Sequence, residues 1–100
     1  MIFFEWDDDK ADSNRRKHGI TFADAMQVFN DPSAIAGHDH IENGERRWQI
    51  IGMIETVMVV LVAYTIEETG QDEVIRLISA RRATRKERTH YEQNRQKDSY

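Results

Sequence analysis

The chain alternates short apolar runs with polar punctuation, and the period of each run predicts its element. Phe3-Phe4-Glu5-Trp6 predicts a short aromatic strand. Asp7 follows as a helix N-cap, Asp8 and Asp9 complement the positive helix end, and Arg15, Arg16, Lys17 and His18 suit the negative one. The helix stops at Gly19, whose missing Cβ permits the left-handed cap conformation. This first helix has no apolar stripe: Lys10, Asn14, Lys17 and His18 share a face, and only Ala11 is plainly apolar. A polar face of that kind needs a reason other than packing.

Thr21 and Asp24 have the spacing of a capping box, with Ile20 able to staple onto Ala25. Phe22, Ala25, Met26 and Phe29 then recur at i, i+3, i+4 and i+7, which predicts a core-facing second helix ended by Asp31-Pro32. Residues 33–40 predict an irregular or edge strand. Residues 47–51 and 57–65 read as strands around a turn at 52–56; the second is apolar on both faces and belongs in the middle of a sheet. A polar turn at 67–72 leads into a strand at 74–80, which completes an antiparallel meander. Strict alternation along it places Ile75, Leu77, Ser79 and Arg81 on one side, and Arg76, Ile78, Ala80 and Arg82 on the other. Thr84 and Glu87 form a second capping-box pattern, so a last helix should run to about Arg95 with Tyr91 as its anchor.

These elements amount to an α/β (α+β) fold: an antiparallel sheet, two N-terminal helices on one face and a polar C-terminal helix. With no repeat and no Ser/Gly-rich joint, residues 1–100 are expected to form one domain. The absence of cysteine excludes disulfides and thiolate metal sites and is compatible with a reducing cytoplasm. The N-terminus has no basic region followed by a long apolar run, and residues 57–64, the longest apolar stretch, are too few to span a bilayer, so export and membrane insertion are disfavoured.

A formal net charge of −4 argues against a general nucleic-acid binder, but the charge is unevenly distributed. Residues 71–100 hold eight Lys and Arg against five Asp and Glu, whereas residues 1–70 hold six against thirteen. The basic stretch begins at a rigid strand end, Arg81-Arg82, and an arginine there can offer phosphate two parallel charge-assisted hydrogen bonds. A solvated polar helix accounts for the same charges, so other residues must decide. Trp48 shares a strand face with Ile50 and reads as core. Arg76, a cation inside a strand, must reach a carboxylate, an edge or a cleft, and reads as a structural ion-pair candidate. His38-Asp39-His40 has no third spaced ligand cluster and reads as a loop, not a metal site.

Taken in order, the motifs resemble the BrnT toxins of bacterial type II toxin–antitoxin systems, which have a RelE-like ribonuclease fold. The resemblance covers about residues 3–92. It rests on Phe4-Glu5-Trp6-Asp7 with Lys10 and Asn14, Lys17-His18-Gly19, Phe22, Val28-Phe29 with Asp31-Pro32, and Gly44-Glu45 with Arg47-Trp48. Gly52, Ile75-Arg76, Ile78-Ser79-Ala80-Arg81, Ala83-Thr84, Glu87-Arg88 and Tyr91 complete it. The acidic Asp7-Asp8-Asp9 run lowers the net charge below that expected of an RNA nuclease.

The resemblance implies a metal-independent endoribonuclease, with no cofactor and no metal, that cleaves RNA through its 2′-hydroxyl and arrests translation. It also implies neutralisation by a BrnA-type antitoxin, in a complex of two toxins and two antitoxins, with operator DNA contacted only through the antitoxin. Such chemistry needs a base, an acid and fixed cations. On this reading His18 and Glu45 are the acid–base candidates, His18 because imidazole alone titrates near neutrality unaided. Arg81 stabilises transition-state charge, and Lys17, Arg47 and Arg82 contact substrate, Arg82 or alternatively the antitoxin. The rival expectation is a non-catalytic module whose basic C-terminal region engages an acidic protein partner. A DNA-binding domain is weaker, since no helix combines a basic recognition face with an apolar stripe.

Overall fold

The computed structural model describes residues 1–97; residues 98–100 of the expected domain lie outside the described residues. The chain forms β1 (Ile2–Glu5), α1 (Asp8–His18), α2 (Phe22–Ala25) running into a 3-10 segment (Met26–Asn30), β2 (Ile35–Glu42), β3 (Glu45–Ile54), β4 (Met58–Thr69), β5 (Asp72–Arg82) and α3 (Arg85–Lys97). The strands make one sheet in the order β1-β5-β4-β3-β2. As expected from its apolar faces, β4 is the central strand, with Val60 and Val62 wholly buried. The expectation of a wholly antiparallel sheet is corrected at one pair: β1 runs parallel to β5, with Ile2 opposite Glu73 and Glu5 opposite Arg76. No hairpin constrains β1, because two helices follow it and carry the chain across the sheet before β2 begins.

The helix caps form as the sequence predicts. Asp7 accepts a hydrogen bond from Lys10 N at 3.1 Å, and Gly19 closes α1 at φ 73°. Thr21 Oγ1 accepts from Asp24 N, and Thr84 and Glu87 bond reciprocally at 2.8 and 3.2 Å. The second helix departs from expectation after one turn and tightens to 3-10 geometry. Its core contacts then step by three residues, Phe22, Ala25 and Val28, so Val28 is fully buried although the helical stripe omitted it. Phe29 still packs inward, edge-on between Phe4 and Tyr64 with ring centroids 5.2 and 5.0 Å away.

The strands outrun their apolar residues. Gly52 to Ile54 lie in β3, so the expected turn at 52–56 contracts to residues 55–57, with Glu55 and Thr56 at φ 52° and 59°. Similarly, β4 reaches Thr69 and pairs it with Asp72, leaving Gly70 and Gln71 as the turn. Backbone hydrogen bonds close these ladder ends whatever the side chains, which is why polarity misplaced the boundaries. The expectation of a loop at His38-Asp39-His40 is corrected too. Asn43 and Gly44, at φ 53° and 79°, make a two-residue primed turn that draws residues 35–42 onto β3, and a bulge at Asp39 takes up the irregularity.

The main core lies on the face covered by α2 and the 3-10 segment, and Ala11 of α1 packs against it. On the opposite face a smaller cluster joins Val59, Ala83 and the fully buried Tyr91, so α3 covers part of that face, anchored as expected. Asp31 ties the layers together by accepting from Ser33 N, Met53 N and the Tyr91 hydroxyl at 2.9, 2.9 and 2.6 Å. Burial pushes the Asp31 carboxyl up, but these hydrogen bonds outweigh it and hold the group below its ordinary range. Burial and the same carboxylate push the Tyr91 phenol up to about 12, so it stays a donor.

Candidate functional site

The polar face of α1 finds its reason at the edge of β5. Strand β1 covers β5 only as far as Arg76, and beyond it Ala80 turns its N–H and C=O outward. The buried Asn14 side chain meets both: its Nδ2 donates to Ala80 O at 2.9 Å and its Oδ1 accepts from Ala80 N at 3.0 Å. The same Nδ2 donates to Ile20 O at 3.0 Å, which fixes the chain leaving the helix. One amide thus acts as a short substitute strand, covering an edge that would otherwise remain open. Lys10, Lys17 and His18, placed four residues before and three and four after Asn14, are carried to that edge with it.

The result is a groove with two adjoining compartments. A cavity of about 200 Å³ is lined by Lys10, Ser13, Lys17, His18, Ile78 and Ser79. A narrower one of about 100 Å³ is lined by Lys10, Glu45, Arg47, Thr65, Arg76 and Ile78. Lys10 and Ile78 line both, so the compartment of His18 and that of Glu45 adjoin at these two residues. Glu45 owes its position to the Asn43-Gly44 turn, which returns the chain so that Arg47 lies 3.2 Å from Glu42 and 3.7 Å from Glu45.

A bulge decides which way the β5 arginines face. Ser79 pairs with Ala63 and Leu77 with Tyr64, which leaves Ile78 unpaired as an extra residue. Strict alternation is therefore corrected beyond Leu77: Ala80 joins Ile75 and Leu77 in the main core, and Arg81 turns to the opposite face, where α3 packs. Arg81 there forks onto Glu87 at 2.8 and 3.1 Å. The guanidinium draws the Glu87 carboxyl down to about 2, and Glu87 in turn raises the Arg81 pKa. Arg81 thus lies on the sheet face of the groove, but it lines neither compartment. Arg82 is exposed, pairs with Val60 and lines neither compartment.

The expected ion pair of Arg76 does not form. Among the described residues Arg76 has none, not even with its register neighbour Glu5, because its position opens into the groove where water can solvate it. Lys10 and Arg76 are thus groove residues outside the set of candidate site residues; the helix face shared by Lys10, Asn14, Lys17 and His18 is the signal for the first, and the charge inside the strand for the second. Trp48 packs against the main core, as expected, with the His38 ring edge-on at 5.7 Å and the Arg46 guanidinium 5.9 Å above it. His40 instead pairs with Asp39 at 2.6 Å, which raises its pKa, so the two histidines have different partners. Among the described residues no group of three or more His, Asp or Glu is placed to hold a metal ion.

The model of the ribonuclease toxin BrnT of type II toxin–antitoxin systems matches residues 6–87. The fold is similar to the crystal structure of the Brucella abortus ribonuclease toxin BrnT, with a TM-score of 0.59 and 26% sequence identity. That similarity covers 85% of this chain and 99% of the Brucella chain. No curated protein matches the sequence. No helix among the described residues is long and apolar enough to cross a membrane.

Proposed function

Because the chain belongs to the BrnT family of ribonuclease toxins of type II toxin–antitoxin systems, we propose that it is a metal-independent endoribonuclease working in the two-compartment groove. The family implies an antitoxin partner. We assign that role to a BrnA-type antitoxin, in a complex of two copies of each, which alone contacts operator DNA. The cysteine-free chain suits the reducing cytoplasm in which RNA and ribosomes would be met.

The observation that carries the reading is the Asn14–Ala80 junction, which seats Lys17 and His18 in a compartment that shares Lys10 and Ile78 with the one lined by Glu45 and Arg47. The RNA 2′-oxygen attacks the adjacent phosphorus as its proton passes to one of His18 and Glu45. The bond from phosphorus to the 5′-oxygen breaks as the other group delivers a proton to that oxygen, leaving a 2′,3′-cyclic phosphate and a 5′-hydroxyl. An acid–base candidate in each of two adjoining compartments suits a displacement in which one group takes a proton and the other gives one. Lys17 and Arg47 bind substrate phosphate, Arg81 adds positive charge from its fork with Glu87, and Arg82 contacts substrate or antitoxin beyond the groove.

The test is to incubate purified protein with RNA in excess chelator, with and without ribosomes, and to map the ends. Cyclic phosphate ends are expected. Intact RNA in both settings would overturn the reading and favour a non-catalytic protein-binding module.

A further inference from the structure

Resting on that reading, we propose that Lys10, Arg47 and Arg76 form an oxyanion seat that grips the non-bridging oxygens of the phosphate being cleaved. Three cations from three separate elements, α1, β3 and β5, converge on a compartment of about 100 Å³. That is room for roughly three waters, or one tetrahedral oxyanion. Only one carboxylate, Glu45, lines it with them.

Their bonding points to a ligand. Among the described residues, Lys10 and Arg76 make no ion pair. Arg47 gives its terminal nitrogen to Glu42 and Glu45, yet its Nε is buried without a hydrogen-bond partner, and no other buried side-chain polar atom of the described residues is so left. A buried donor without an acceptor is costly, so its two carboxylates do not fully satisfy the Arg47 guanidinium. Arg81, by contrast, already has its fork filled by Glu87. Lys10 is the cation shared by the His18 and Glu45 compartments, so an oxyanion on it would lie between the two proton-transfer groups. Lys10 and Arg76 would then be catalytic residues in their own right.

The seat can be tested apart from cleavage by titrating the parental protein with inorganic phosphate and following the arginine Nε–H signals by NMR. The Nε–H signals of Arg47 and Arg76 should shift saturably, and Arg76→Gln and Lys10→Gln should each weaken that binding roughly tenfold or more, the worth of a charge-assisted hydrogen bond. Both positions are exposed, so the variants should fold. The same variants should lose at least about tenfold in kcat/KM on RNA. No saturable shift, or a shift indifferent to both substitutions, would overturn the seat. Phosphate binding in a protein that cuts no RNA would leave the seat standing and remove the cleavage reading instead.

Discussion

At the scale of single residues, the groove separates groups that act on protons from groups that hold the fold. Among the described residues His18 and Glu45 have no side-chain hydrogen bond or ion pair beyond the weak Glu45–Arg47 pair at 3.7 Å, and a pair whose carboxylate is more than half exposed contributes about 0–1 kcal/mol. His18→Gln and Glu45→Gln should therefore melt like the parental protein while losing roughly 10²–10⁴ in cleavage rate, measured on one RNA under single-turnover conditions. Near-parental cleavage would remove that residue from the mechanism. Glu87 is the opposite case, since it holds Arg81 and closes the α3 cap. Glu87→Gln should cost about 1–2 kcal/mol at neutral pH in chemical denaturation. Its folded carboxyl lies at about 2, below the ordinary 4.5, so its stabilisation is complete above 4.5 and disappears as pH falls towards 2. The difference between parent and variant should close over that window; a constant difference would contradict the pairing. Because Arg81 adds positive charge to the reaction as well as holding the cap, Arg81→Gln should resemble Glu87→Gln in stability and also lower the rate; a spared rate would confine Arg81 to the cap.

At the scale of elements, the informative joint is α1 against β5. The helix has almost no apolar surface, so its position rests on the hydrogen bonds that Asn14 makes to the backbone of Ala80 and Ile20. Asn14→Ala should leave two carbonyls and one N–H without partners and cost about 3 kcal/mol, read from denaturant midpoints. It should also lower cleavage, because Lys10, Lys17 and His18 lose their common anchor; stability reduced with rate intact would show that the helix docks by other means. Asn14 is visible in the sequence as part of a polar helix face, but its partner is 66 residues away and no local pattern names it. The bulge at Ile78 is equally hidden. It depends on how β4 and β5 register over their whole length, and it reverses the face assigned to Arg81.

At the scale of the whole molecule, net charge misleads and its placement does not. The chain is formally −4, yet the two compartments hold Lys10, Lys17, Arg47 and Arg76 with Glu45 as their one lining carboxylate. RNA affinity should accordingly weaken with salt, and Arg76→Gln should lower the slope of log affinity against log salt by about 0.7, the single-strand value per phosphate contact. An unchanged slope would place RNA elsewhere on the surface. By itself the sequence determined what depends on neighbours along the chain: both capping boxes, the glycine stop of α1, the central apolar strand and the anchor at Tyr91. These follow from capping chemistry and hydrophobic period, which act over a few residues. Only the tertiary structure decided the parallel seating of β1, the face of Arg81, the lack of an ion pair at Arg76 among the described residues and the sharing of Lys10 by the compartments of His18 and Glu45. Each of these depends on backbone pairing between distant segments, where one extra residue reverses every side chain that follows.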